Sequence, residues 1–141
     1  MKQPFLWYLA SPYSHTNPKI KQTRFVKISK LAGKLIKQGI HVLCPIASSV
    51  PIAKYGKIDS TDWEYWKNLD INYVSRCDGI LVSILDNEWH TSVGMRAEVE
   101  YAKELGIPCA LVYRDGGIVP IDPDELLEKF DNQGYFKEGK A

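Results

Sequence analysis

Four short apolar runs, each separated from the next by enough chain for a helix, limit what this sequence can fold into. They are residues 5–11 (FLWYLAS), 41–46 (HVLCPI), 79–85 (GILVSIL) and 109–114 (CALVYR). They read as strands, and the third is apolar on both of its faces, as in a sheet covered on both sides. Between the runs the pattern turns helical. Asn17-Pro18 opens a helix as N-cap and first-turn proline, and Gly39 stops it. Its core stripe is Phe25, Ile28, Leu31, Ala32, Leu35 and Ile36. A second helix starts at Ser60-Thr61-Asp62 and ends near Arg76. A third occupies the stretch before Gly106 and Pro108, and a short one begins at Asp122-Pro123. Residues 47–59 read as a loop with a short helical turn, and the tail after Asn132 as loose. Strand and helix in strict alternation predict an α/β fold, a single-domain open parallel sheet flanked by helices.

The 141 residues suit one domain with one core, with residues 115–141 as a partly loose C-terminal extension. The formal net charge of +1 supplies no field to attract nucleic acid. Lys27, Lys30, Lys34 and Lys37 line one face of the first helix, which reads as a solvated face rather than a nucleic-acid surface. Cys44, Cys77 and Cys109 lie in or beside apolar runs without zinc-site spacing. An odd cysteine count and no targeting segment predict reduced thiols and a cytoplasmic protein. No apolar run is long enough to cross a bilayer, so no membrane partner is expected. His15, His41 and His90 lack metal-ligand spacing, so no metal is expected. The loop after the first run, SPYSHTNP, has no glycine, which argues against a Rossmann dinucleotide site or a P-loop. No organic cofactor is expected.

The helix before Gly106 carries the first functional signal. Met95, Val99 and Ala102 form its apolar stripe, and Glu98 falls inside that stripe. In the helix ending near Arg76, Asp70 falls among Trp66, Leu69, Tyr73, Val74 and Cys77 in the same way. A carboxylate aimed at the interior must be paired, or stay protonated through a raised pKa. Each could cap a backbone or pair with Arg24 or Arg96. Together, on helices flanking one strand, they read as the two carboxyl groups of an acid–base or glycosyl site. That site belongs at the carboxyl ends of the strands, where loops 12–17, 47–59 and 86–92 gather. Arg24 also lies in its helix's core stripe. It would hold a phosphate near that helix's start or pair with an acidic side chain, and both readings stay open.

Four pieces, in order, resemble the nucleoside 2-deoxyribosyltransferase-like superfamily, and most closely its DUF1937 branch. They are YLASPYS at 8–14, LD at 69–70 with CDGILV at 77–82, SVGMRAEVEYA at 92–102 and LGIP at 105–108. The resemblance implies a Rossmann-like or flavodoxin-like sheet. It also implies cleavage of the N-glycosidic bond of a nucleoside or nucleoside 5′-monophosphate, by hydrolysis or deoxyribosyl transfer. Glu98 takes the nucleophile's position, Asp70 that of the proton donor to the leaving base, and Tyr8 that of the tyrosine orienting the nucleophile. Ser92 and Gly94 lie at the turn that holds sugar or phosphate. Where phosphate-binding relatives carry a Gly- and Arg-containing loop, this chain has Pro12-Tyr13-Ser14-His15, which leaves Ser11, Ser14 and Arg24 to meet a phosphate. Tyr13, Trp63, Trp66 and Trp89 are placed to stack on the base or to pack the rim. Asp78 begins a strand and reads as structural. The implied partners are a small-molecule nucleoside or nucleotide and further copies of the chain in a homo-oligomer. The competing reading is a non-catalytic nucleotide-binding or sensor module.

Overall fold

Each of the four apolar runs contains a strand. The computed structural model describes residues 4–59 and 62–132. The helix start expected at Ser60-Thr61 and the tail after Asn132 lie outside the described residues. Strand β1 (Leu6–Ala10) leads to helix α1 (Pro18–Lys37), β2 (His41–Leu43), α2 (Pro45–Gly56) and α3 (Trp63–Arg76). Then come β3 (Gly79–Ser83), a single 3₁₀ turn at Trp89–Thr91, α4 (Val93–Leu105), β4 (Cys109–Val112), β5 (Ile118–Pro120) and α5 (Pro123–Asp131).

The sheet order is β2-β1-β3-β4-β5. The first four strands are parallel, with Tyr8 opposite both Leu43 and Ile80, and Leu81 opposite Ala110. The chain moves outward from β1 to β2, then crosses back to β3, so the strand order reverses at the carboxyl ends of β1 and β3. Open α/β sheets bind ligands in the crevice at that point. The period-two alternation of β1 divides the core. Tyr8 and Ala10 face Val74 of α3, Met95 and Val99 of α4, and Leu126 of α5. Leu9 faces the opposite side, against Ile28, Leu31 and Leu35 of α1. Asp78 has the structural role its position suggests: its carboxylate accepts the Leu6 N–H at 2.8 Å, and its own N–H donates to the Leu6 carbonyl.

The helix boundaries follow local chemistry. The Asn17 side chain accepts the Lys19 N–H, Ser92 Oγ accepts the Met95 N–H, and Asp122 accepts from Asp124 and Glu125. Gly106 ends α4 in the left-handed conformation at φ 72°.

Three expectations need correction. Residues 47–59 are mostly helix rather than loop. Pro51 and two serines argue against a helix, but Pro45 starts one in the first turn, and buried Ala53 anchors it. Starting α2 at Pro45 also cuts β2 to three residues. Residues 118–120 form a fifth strand, antiparallel to β4, with Leu111 opposite Val119. Its turn is closed by the Tyr113 N–H donating to the Gly117 carbonyl at 3.0 Å. Two stripe residues are also exposed, Ile36 on α1 and Leu69 on α3. The buried face of α1 rotates instead toward Arg24.

Candidate active site

A cavity of about 420 Å³ opens where the strand order reverses, within the range of about 300–1,000 Å³ usual for small-molecule sites. The end of β1 and the loop behind it form one wall, from Tyr8 to Ser14. Helix α3 contributes Trp63, Trp66 and Asp70, and the start of α4 contributes Ser92, Gly94 and Glu98. Among the expected site residues, Glu98, Asp70, Tyr8, Ser11, Tyr13, Ser14, Arg24, Ser92 and Gly94 all line this one space.

Trp89 is placed differently. It is 3% exposed and packs edge-on against Phe130 of α5, with ring centroids 4.9 Å apart, outside the cavity lining. It is core, not a stacking surface. Besides Tyr8, the rings on the wall are Tyr13, Trp63 and Trp66. Trp63 lies against Gly94 so closely that a Cβ there would come within 3.2 Å of the ring. Trp66 is fixed by its indole N–H, which donates to the Asp59 carbonyl at 2.7 Å.

Glu98 is 6% exposed, and the buried Tyr8 hydroxyl donates to its Oε2. Among the described residues neither nearby arginine neutralises it. Arg96 turns outward to Glu100 and Asp131, and Arg24 pairs with Asp86. Burial pushes the Glu98 carboxyl up to about 8, and the nearby Asp70 charge adds to the rise. The Tyr8 hydrogen bond works the other way by favouring the anion. Burial alone raises Asp70 to about 6. Tyr8 is itself raised, first by burial and then by the two carboxylates, so it stays a neutral donor. Near neutral pH the two carboxyl groups therefore share one proton.

Arg24 resolves to the ion pair. Its Nε donates to Asp86 Oδ2 at 2.7 Å, its Nη2 to Asp86 Oδ1 at 3.2 Å and its Nη1 to the Ser14 carbonyl at 2.8 Å. Glu88 stands 3.6 Å from Nη2. Burial would raise the Asp86 carboxyl, but its hydrogen bonds from Arg24 and from the Glu88 N–H, with the Arg24 charge, hold it below the usual range.

The sequence pattern put the 47–59 stretch at the site but did not single out Pro45, Ile46 and Ser49, which form the α2 side of the cavity. Proline straight after the β2 run was the available signal for a helix start there. Nor did it single out Asp86 and Glu88, whose signal was acidic residues directly behind the carboxyl end of β3. Among the described residues no cluster of three or more His, Cys, Asp or Glu is placed to hold a metal ion, and no helix is long and apolar enough to cross a membrane. All three cysteines are free.

No curated protein matches the chain. Among solved structures it resembles a 2-deoxyribosyltransferase from the psychrotolerant bacterium Bacillus psychrosaccharolyticus. The TM-score is 0.54 at 21% identity, over 86% of this chain and 90% of that one. The two share an α/β fold. Residues 6–114, from the first residue of β1 through β4 and its exit, match the family described as "Domain of unknown function (DUF1937)", and the chain belongs to that family.

Proposed function

We propose that the protein breaks the N-glycosidic bond of a nucleoside or nucleoside 5′-monophosphate, by hydrolysis or by transfer to a second base. The observation that carries this reading is the buried Glu98 carboxyl, held by the Tyr8 hydroxyl and facing the same cavity as Asp70, with no ion pair to either among the described residues. Such a pair is costly to a fold and suited to glycosyl transfer. The shared fold with a 2-deoxyribosyltransferase supports a nucleoside as the substrate.

In the reactive state the shared proton sits on Asp70, and Glu98 is the anion accepting from Tyr8. A base nitrogen next to Asp70 favours that state, because it accepts a hydrogen bond only from the protonated acid. A Glu98 oxygen then bonds to C1′ as the C1′–N bond breaks. The bonding pair leaves with the base, which takes the Asp70 proton. Water, or the N–H of a second base, next attacks C1′ and gives its proton to Asp70. The ester to Glu98 breaks, and the carboxylate is restored. Two displacements retain the configuration at C1′.

The test is base release from ribo- and deoxyribonucleosides and their 5′-monophosphates, resolved by chromatography. Free base is expected, and a new nucleoside in the presence of an added base marks transfer. Binding without any base release would leave only the non-catalytic module. The pH profile of kcat/KM is expected to be bell-shaped, with limbs near 6 and near 8. Below the first, both carboxyl groups are protonated and no nucleophile exists. Above the second, both are ionised and no acid remains. A profile flat across this window would contradict the shared proton.

A further inference from the structure

Arg24 is the only lysine or arginine lining the cavity among the described residues, yet its charge is already spent on Asp86 and Glu88. We infer that Asp86 and Glu88 are specificity-determining residues that make the cavity select a nucleoside with a free 5′-hydroxyl and reject its 5′-monophosphate. The inference rests on the proposed reaction and deepens it, since that reaction alone leaves both substrates open.

Charge decides between the two substrates. A 5′-phosphate brings close to two negative charges at neutral pH and three acceptor oxygens. A walled cavity accepts them only with matching cations or donors. The Arg24 guanidinium donates from all three nitrogens, twice to one carboxylate and once to the Ser14 carbonyl. Glu88 stands 3.6 Å from the same guanidinium, and the other basic groups near these carboxylates, His15 at 3.6 Å from Glu88 and Lys27 beside Asp86, are outside the cavity lining. The Asp70–Glu98 pair adds a further negative charge on the same lining. Lys21 sits 6.0 Å from the Tyr13 ring centre and is not part of the lining. The amino end of α4 adds the Ser92 side chain and the backbone of Val93 and Gly94, and a helix end carries about half a unit of positive charge. These neutral donors, with the hydroxyls of Ser11, Ser14 and Ser49, suit sugar hydroxyls better than a dianion.

The Arg24–Asp86 pair also has a mechanical side. It ties the loop that follows β1 to the loop that follows β3, through the Ser14 carbonyl and Asp86. A phosphate could take Arg24 only by displacing Asp86 and loosening the wall that holds the substrate.

The test compares wild type, Asp86→Asn and Glu88→Gln on matched nucleosides and 5′-monophosphates. Both kcat/KM for base release and calorimetric Kd are read. Wild type is expected to favour the nucleoside by about tenfold or more, and Asp86→Asn to raise the monophosphate-to-nucleoside ratio by about tenfold or more. Glu88→Gln, at an exposed residue, should move the ratio the same way by less, and it serves if Asp86→Asn does not fold. A wild type that favours the monophosphate overturns the inference, as does a ratio unmoved by both variants. If no variant releases base, the proposed reaction has failed, and the Kd ratio still decides this inference. Binding of neither ligand overturns both.

Discussion

Glu98→Gln is expected to lower base release by about 10⁴-fold or more, because an amide cannot form the bond to C1′ that the first step requires. The substitution is close to isosteric, and its carbonyl can still accept from Tyr8, so the loss reports chemistry rather than collapse of the wall. Asp70→Asn should cost less, about 10²–10⁴-fold, the usual range for a general acid. The two losses should also differ in kind. A nucleoside whose base is already cationic, such as one methylated at N7 of guanine, departs without a proton. The Asp70→Asn deficit should shrink on that substrate, and the Glu98→Gln deficit should not. Equal deficits for both variants on both substrates would remove the division of labour between the two carboxyls. Residual activity near wild type in Glu98→Gln would remove the covalent step altogether.

The division between what the sequence disclosed and what it hid comes from the kind of signal each residue emits. Glu98 and Asp70 were legible because a charge inside a helical apolar stripe breaks a period, and a broken period shows without a structure. Arg24 was legible in the same way, but its partner was not. Asp86 lies 62 residues away, and no local pattern names a partner at that distance. Helix α2 was hidden because Pro51 and its serines lower its intrinsic propensity, and only packing against the rest of the fold makes up for that. Strand β5 has three residues and ends in proline, too short to show an alternation. The Asp115-Gly116-Gly117 turn before it, with Gly116 at φ 88°, was the one usable sign of a hairpin. Trp89 shows the opposite error. A tryptophan in a ligand-edge loop suggests stacking, but α5 supplies Phe130 to cover it, and that contact has no trace in the local sequence.

The same buried carboxyl should make the wild-type fold lose stability as pH rises. Glu98 titrates at about 4.5 when exposed and at about 8 when buried in the fold, so the native state binds the proton more tightly than the unfolded chain. Stability gained from that proton is complete below the lower value. It declines through the interval and is gone above the upper one. The shift corresponds to on the order of 5 kcal/mol across that window. Glu98→Gln has nothing to titrate there and keeps an acceptor for Tyr8, so it should escape the decline. Thermal unfolding should show the two proteins alike below about pH 4.5, with the variant higher by roughly 15 °C above pH 8. Asp70 is raised in the same direction but less far, so Asp70→Asn should show a smaller gain. A gap that stays constant with pH would mean Glu98 does not change its charge in this window, and the wild-type decline would need another origin. A gap that opens as expected, in a variant that has also lost its chemistry, would mark Glu98 as a carboxyl buried for reaction at the expense of the fold.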